Sequence, residues 1–228
     1  MNVSQLIRSS RLVAIVRLDD LSSAVPLMEA LLAGGIVAIE FTLTNPQALD
    51  VIQQGLAAFS AFREGTAALG LGSVRSVQEA REAIACGAQF VVTPICQPKV
   101  IELVKESGRA IAAGAMTPTE MSTAWDAGAD FVKVFPAKNL GPGYIRDVLA
   151  PMPYLPLLPT GGVDLANMKS YLDAGAVAVG MGGHLLDGPA IVARDWTKIR
   201  EIARQHANAA SPVSDDPRPR SPQAGVPA

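Results

Sequence analysis

One lysine stands where a β-strand would bury it. Phe131-Val132-Lys133-Val134-Phe135 reads as a strand, and with a period of two Lys133 shares its face with Phe131 and Phe135 while Val132 and Val134 take the other. An ammonium on an apolar face is partly desolvated, which favours the neutral amine. A free amine in an apolar pocket is the nucleophile of imine chemistry. A structural ion pair is the competing reading, and Ala38-Ile39-Glu40-Phe41-Thr42 offers the partner, with Glu40 and Thr42 on one strand face. A buried carboxylate costs several kcal/mol unless paired or neutralised. In the imine reading the same carboxyl serves as general acid and base. Arg17 ends the first apolar run, and its planar fork suits a carboxylate, either that of a ligand or that of Glu40.

Three further strand ends gather small residues: Gly70-Leu71-Gly72-Ser73, Pro159-Thr160-Gly161-Gly162, and Gly180-Met181-Gly182-Gly183-His184. Paired glycines let backbone N–H groups converge on an oxyanion, and they serve equally well in tight turns. Phosphate sites in barrels commonly lie after the seventh and eighth strands, where two of these pairs fall.

The elements that must position these residues repeat along the chain. Ala33-Gly34-Gly35, Gly87-Ala88, Gly128-Ala129 and Gly175-Ala176 each close an amphipathic run and lead into a short apolar one. Glycine at such a junction ends a helix in the left-handed conformation, and the apolar run after it reads as a buried strand. Filling the intervals predicts eight strands at 13–17, 38–42, 67–70, 90–94, 110–113, 131–135, 155–158 and 177–179. Helices are expected between them: Gln47–Phe59 after Asn45-Pro46, Val77–Cys86 after Ser76, Thr119–Ala127 after Thr117-Pro118, and Leu165–Ala174 after Asp164. Short apolar strands alternating with helices imply a parallel sheet covered on both faces. An open doubly wound sheet would want a glycine-rich turn after its first strand, and Arg17-Leu18-Asp19-Asp20 is not one. The expected fold is therefore a single-domain α/β (β/α)8 TIM barrel over residues 1–207. The stretch 208–228 holds five prolines and no aromatic residue, too little apolar area to offset its ordering entropy, and is expected to be a disordered tail.

Composition narrows the partners. The chain has 228 residues, 49% apolar and 18% charged, with 19 basic against 21 acidic residues and no basic block. Clustered Lys and Arg are needed to neutralise phosphates, so neither nucleic acid nor an anionic membrane is expected. The longest uncharged stretch, Val148 to Val163, carries four prolines that a spanning helix would not tolerate. Leu12 to Val16 is too short for a secretory h-region. Two cysteines, Cys86 and Cys96, make neither a disulfide framework nor a zinc site, which points to the cytoplasm. The two histidines, His184 and His206, with Glu40 as the one strand carboxylate, are too few for a divalent-metal centre.

Five ordered motifs then point to one family. Glu40-Phe41-Thr42-Leu43-Thr44-Asn45-Pro46, Gly70-Leu71-Gly72-Ser73-Val74, Gly114-Ala115-Met116-Thr117-Pro118-Thr119-Glu120, Phe131 to Ala137 and Pro159-Thr160-Gly161-Gly162-Val163 resemble the 2-keto-3-deoxy-6-phosphogluconate / 4-hydroxy-2-oxoglutarate aldolases from about Leu12 to Leu186. The resemblance implies a trimeric class I aldolase without metal or other cofactor, acting on a small 2-keto acid. It implies Lys133 as the Schiff-base lysine, Glu40 as acid and base, and Ser73 and Thr160 in the pyruvate pocket. Gly161, Gly162, Gly182 and Gly183 fall on the phosphate loops, and Phe135 would keep water from the imine. The chain departs from the family pattern twice. Thr44 stands where many members have an arginine, a role Arg17 matches in others, and His184 stands where serine is usual. The expected substrate is the phosphorylated six-carbon acid, with unphosphorylated 4-hydroxy-2-oxoglutarate as the alternative. A non-catalytic barrel that binds a phosphorylated metabolite would lack the imine.

Overall fold

A computed structural model describes residues 1–211. The strands are β1 (Leu12–Val16), β2 (Ala38–Thr42), β3 (Ala68–Gly72), β4 (Phe90–Val92), β5 (Ala110–Ala115), β6 (Phe131–Val134), β7 (Leu157–Pro159) and β8 (Val179–Met181). All pairings are parallel, in the order β7-β6-β5-β4-β3-β2-β1-β8. A parallel bridge between Thr160 and Gly180 joins the two ends, so the sheet closes as the (β/α)8 barrel expected.

The helices are α1 (Val3–Ser10), α2 (Ala24–Ala33), α3 (Ala48–Ala58), α4 (Ser60–Arg63), α5 (Val77–Ala85), α6 (Pro98–Glu106), α7 (Pro118–Asp126), α8 (Gly141–Leu149), α9 (Met168–Asp173), α10 (Gly188–Val192) and α11 (Trp196–Ala210). Local chemistry sets their starts. The Thr117 side chain accepts from the Glu120 N–H while Glu120 reaches back, a capping box with Pro118 in the first turn of α7. Ser76 caps α5 through the Glu79 N–H. The four predicted helix-to-strand glycines, Gly35, Gly87, Gly128 and Gly175, have φ between 91° and 107°, a region that costs a side-chain-bearing residue strain.

Two cores result. Between strands and helices lies the larger one, built on residues such as Leu27, Phe41, Leu69, Val91, Ile111 and Val132. Inside the barrel, Val13, Ala38, Phe90, Ala112, Phe131 and Leu158 fill the lumen, and Leu6 and Ile7 of α1 plug its N-terminal end. The period-two phase of β2 and β6 is as read from the sequence: Ala38 and Phe131 point into the barrel, and so do Glu40 and Lys133, two residues along each strand.

Several expected bounds need correction. β4 ends at Val92, two residues before its expected end, and β7 begins at Leu157, two residues after its expected start. β8 begins at Val179, two residues later than expected, because Gly175 to Ala178 still belongs to the turn and Gly180 lies inside the strand. α3 and α9 start at Ala48 and Met168, later than their predicted bounds: Asn45 caps a turn through the Gln47 N–H, and Asp164 accepts from the Ala166 and Asn167 N–H groups. The tail does not begin at residue 208. Helix α11 runs to Ala210, which is fully buried. The remainder of the predicted tail, 212–228, lies outside the described residues.

Candidate active site

The C-terminal strand ends form a mouth with an open cleft of about 370 Å³. Residues from β1, β6, β7 and β8 and their loops line it, among them Arg17, Lys133, Phe135, Thr160, Gly161 and His184. Active sites of this architecture sit at that end.

Lys133 reaches the cleft from β6 with only 5% of its surface exposed. Its Nζ lies 5.1 Å from the Phe135 ring centroid. Burial lowers its pKa, Glu40 pulls it back up, and Arg17 lowers it further. Glu40 is 1% exposed and its Oε1 has no hydrogen-bond partner. Burial raises the Glu40 pKa, opposed by the charges of Lys133 and Arg17. Among the described residues Glu40 forms no ion pair with either cation within 4.0 Å, so the structural pairs allowed by the sequence are not made. Glu40 stands below the cleft rather than on its wall, beside a lumen cavity of about 10 Å³ that shares Ile15, Thr160 and Gly180 with the cleft above.

Glycines make this packing possible. Glu40 leans across β3, where a Cβ on Gly72 would lie 1.6 Å from its Oε1. On the far side, a Cβ on Gly180 would lie 2.4 Å from the Thr160 hydroxyl. Both glycines look like turn residues in the sequence, yet both are strand residues that face inward and leave room for a polar neighbour. Gly72 follows Gly70, the last residue of the expected third strand, by the strand period itself, a signal that the strand continues.

Thr160 is buried, and its Oγ lies 3.4 Å from the Leu158 carbonyl. Gly161 and Gly162 follow with φ of 86° and 85°, and Gly161 packs against the Phe135 ring. Gly182, Gly183 and the exposed His184 border the same cleft. Among the described residues, the backbone N–H groups of Gly162, Val163, Gly183 and His184 donate no hydrogen bond, so two neighbouring loops present free donors. Arg17 is exposed at the mouth, one residue beyond β1. Ser73 is not brought to the cleft wall: it follows Gly72 in the left-handed region, φ 60°, on the β3 side. Thr44, the other departure from the family pattern, has its hydroxyl 2.8 Å from that of buried Thr42. Among the described residues no three His, Cys, Asp or Glu side chains converge as ligands of a metal ion.

A buried amine of lowered pKa beside an unpaired carboxyl of raised pKa can form and break imines while moving protons. The comparisons with known proteins agree with that chemistry. The family model described as KDPG and KHG aldolase matches residues 3–202. The chain belongs to that family. This KDPG/KHG aldolase family member is 33% identical over 198 residues to the 2-dehydro-3-deoxy-phosphogluconate aldolase of Treponema pallidum (strain Nichols), covering 86% of this chain and 91% of the relative. It is 28% identical over 205 residues to the KHG/KDPG aldolase of Escherichia coli (strain K12), covering 90% and 94%. Among solved structures it is similar to the KDPG aldolase of Legionella pneumophila, with pyruvate captured at low pH as a covalent carbinolamine intermediate. That likeness has a TM-score of 0.80 at 25% identity, over 90% of this chain and 97% of the other. In this aldolase family member no helix among the described residues is long and apolar enough to cross a membrane.

Proposed function

We propose that the chain is a class I aldolase that cleaves 2-keto-3-deoxy-6-phosphogluconate into pyruvate and glyceraldehyde 3-phosphate, with Lys133 as the imine-forming residue. The observation that carries this reading is the pairing of buried, lowered-pKa Lys133 with Glu40, buried and unpaired beneath the same cleft. The neutral amine adds to the C2 ketone to give a carbinolamine, and Glu40 as the acid, directly or through water, protonates its hydroxyl, so that water leaves, an iminium remains and Glu40 becomes a carboxylate. Glu40 as carboxylate, directly or through water, takes the C4 hydroxyl proton. The C3–C4 bond then breaks, the aldehyde leaves, and the electron pair passes into the iminium to give an enamine. Return of a proton to C3 and hydrolysis release pyruvate and restore the amine. A raised pKa makes Glu40 a stronger base than an ordinary carboxylate and keeps its protonated form populated for the return step.

Arg17 offers the substrate carboxylate a bidentate partner at the mouth. Holding that end keeps C2 within reach of Lys133 and offsets part of the entropy of reaction. Phe135 screens the imine from water, and Thr160 forms the pocket floor. Ser73 remains assigned to the pyruvate carboxylate by family resemblance, reaching it from the β3 side. At the other end, the free N–H groups of Gly162, Val163, Gly183 and His184 in the turns after β7 and β8 receive the phosphate, with the Gly161 backbone and the His184 ring beside them. Backbone donors at loop turns are suited to phosphate oxygens. The working assembly is a cytoplasmic homotrimer, an expectation that rests on family resemblance and cysteine usage. Neither a metal nor another cofactor takes part in this scheme.

Borohydride reduction in the presence of pyruvate, followed by peptide mass spectrometry, tests the assignment. The adduct is expected on Lys133, and Lys133→Met should trap nothing and lose turnover by about 10⁴-fold or more. An adduct on Lys138, the next lysine along the chain, would overturn it.

A further inference from the structure

Helix α9 lies outside the barrel and touches no reacting atom, yet the residue at its start governs the turn after β7. The Asn167 side-chain amide donates to the Gly162 carbonyl at 2.9 Å, and its oxygen accepts from the Asp164 N–H at 3.0 Å. Asp164 answers by accepting from the Asn167 N–H at 3.0 Å. The turn is therefore held in both directions by one side chain. One helical turn further on, buried Tyr171 donates to the Ala137 carbonyl at 3.1 Å, fixing α9 against the loop that follows β6.

The consequence follows from peptide geometry. A trans peptide is planar and sets its C=O and the next N–H in opposite directions. Holding the Gly162 carbonyl toward α9 turns the Val163 N–H the other way. That N–H donates no hydrogen bond among the described residues, and Val163 lines the cleft. Gly161 and Gly162 both adopt positive φ, a conformation with no steric preference of its own for glycine, so the turn needs an external restraint to hold one orientation. The Lys138 stem covers the outer face of Gly162, where a Cβ would lie 2.6 Å from its own Cβ, but it makes no polar bond to the turn. Asn167 supplies the polar restraint.

We infer that Asn167 is a positioning residue for substrate specificity: it aims the Val163 N–H of the β7 turn at the anionic end of a phosphorylated keto acid. It acts through Gly162 and Val163 and does not touch the ligand. The inference rests on the phosphate reading of the glycine turns given above.

Asn167→Ser tests it, because serine keeps an oxygen for the Asp164 N–H and is too short to reach the Gly162 carbonyl. Steady-state kinetics are measured with 2-keto-3-deoxy-6-phosphogluconate and with 4-hydroxy-2-oxoglutarate, alongside the rate of pyruvate trapping by borohydride. The variant should raise KM for the phosphorylated acid about five- to tenfold, the effect of one lost orienting hydrogen bond, with kcat changed less than twofold. KM for the unphosphorylated acid and the trapping rate should not move. An equal rise in KM for both acids, loss of pyruvate trapping, or no change in either KM overturns the role of Asn167. The wild-type arm separates the two levels of argument. If the wild-type chain does not favour the phosphorylated acid, the phosphate reading fails and this inference falls with it. If it does, and Asn167→Ser favours it equally, only the inference fails.

Discussion

Strand β6 carries the same kind of chemistry at its two ends and treats it in opposite ways. At the bottom of the barrel the Arg8 guanidinium stands 5.1 Å from the Phe131 ring, next to Asp130. At the mouth the Lys133 ammonium stands 5.1 Å from the Phe135 ring, across from Glu40. The bottom carboxylate is saturated. Asp130 accepts from Ser4 at 3.0 Å, from Lys105 through both oxygens at 2.9 and 2.8 Å, and from the Ile111 N–H at 2.9 Å. Its carbonyl also accepts from Arg8 at 3.4 Å. The mouth carboxylate is more deeply buried and has an oxygen, Oε1, with no hydrogen-bond partner among the described residues. A buried polar atom without a partner costs roughly 1–3 kcal/mol. The fold thus satisfies charge where it serves only assembly and leaves it unsatisfied where a proton must move.

Glu40→Gln strikes the unsatisfied end and has the largest expected effect of the comparison. The amide keeps the shape but cannot cycle a proton, so kcat should fall by about 10²–10⁴ while pyruvate trapping on Lys133 persists. Gly72→Ala should reproduce much of that loss with Glu40 still present, because its Cβ would sit 1.6 Å from Oε1 and displace the carboxyl. Steady-state turnover and trapping yield, measured side by side, check both. Wild-type turnover in Glu40→Gln would reduce the mouth to another structural charge site, and the contrast between the two ends would vanish.

How much of this was legible depends on which residues signal by type and which by absence. β2 was read to its bounds and β6 to within one residue, since a charged residue at period two among branched and aromatic ones marks both the strand and its inward face. Eight alternating units favour a barrel over an open sheet, but periodicity alone does not prove closure, which rests on the bridge between Thr160 and Gly180. The glycine-rich strand ends were misread. Gly72 and Gly180 lie inside strands, where glycine is required because a Cβ would strike Glu40 or Thr160, and such collisions involve residues distant in sequence. Neither spacing nor type reveals that Ser73, just beyond β3, is a left-handed residue. Asn167 carried no signal of its own. Its role arises from a carbonyl five residues earlier, which a helix-start reading of Asp164 passes over.

The saturated end of β6 gives the converse experiment. Asp130→Ala removes the acceptor of Ser4, Lys105 and Ile111 and should lower stability by about 1–3 kcal/mol, since the site is partly screened by solvent. In a chain of this size that is a fall in Tm of about 2–10 °C. Thermal denaturation followed by circular dichroism reads the shift, and kcat/KM at 25 °C should stay within twofold of wild type. A large loss of activity below the melting range would mean that the bottom of the barrel communicates with the mouth along β6.

A third buried group asks whether an unsatisfied polar atom outside the mouth is functional or merely tolerated. His206 on α11 is 2% exposed; its Nδ1 donates to the Ile202 carbonyl at 2.8 Å, and its Nε2 has no partner among the described residues. Burial lowers its pKa below 6.5, the Ile202 carbonyl opposes this, His184 lowers it further and Asp164 raises it. The unfolded chain therefore takes up a proton more readily than the folded one. The stability His206 permits is fully present above about pH 6.5 and is lost as pH falls through that value toward the lowered one. His206→Leu should remove this dependence: the wild type should lose up to about 1.4 kcal/mol more than the variant between pH 7.5 and pH 5.5. Urea denaturation at the two pH values measures it. Turnover at pH 7.5 should be unchanged, because the unpaired Nε2 lies in the packing of α11 and not on the cleft wall. If turnover falls as it does in Glu40→Gln, the division between a saturated scaffold and an unsatisfied mouth is wrong. If the pH dependence is the same in both chains, folded His206 takes up its proton as readily as the unfolded chain does, and its burial adds nothing to acid sensitivity.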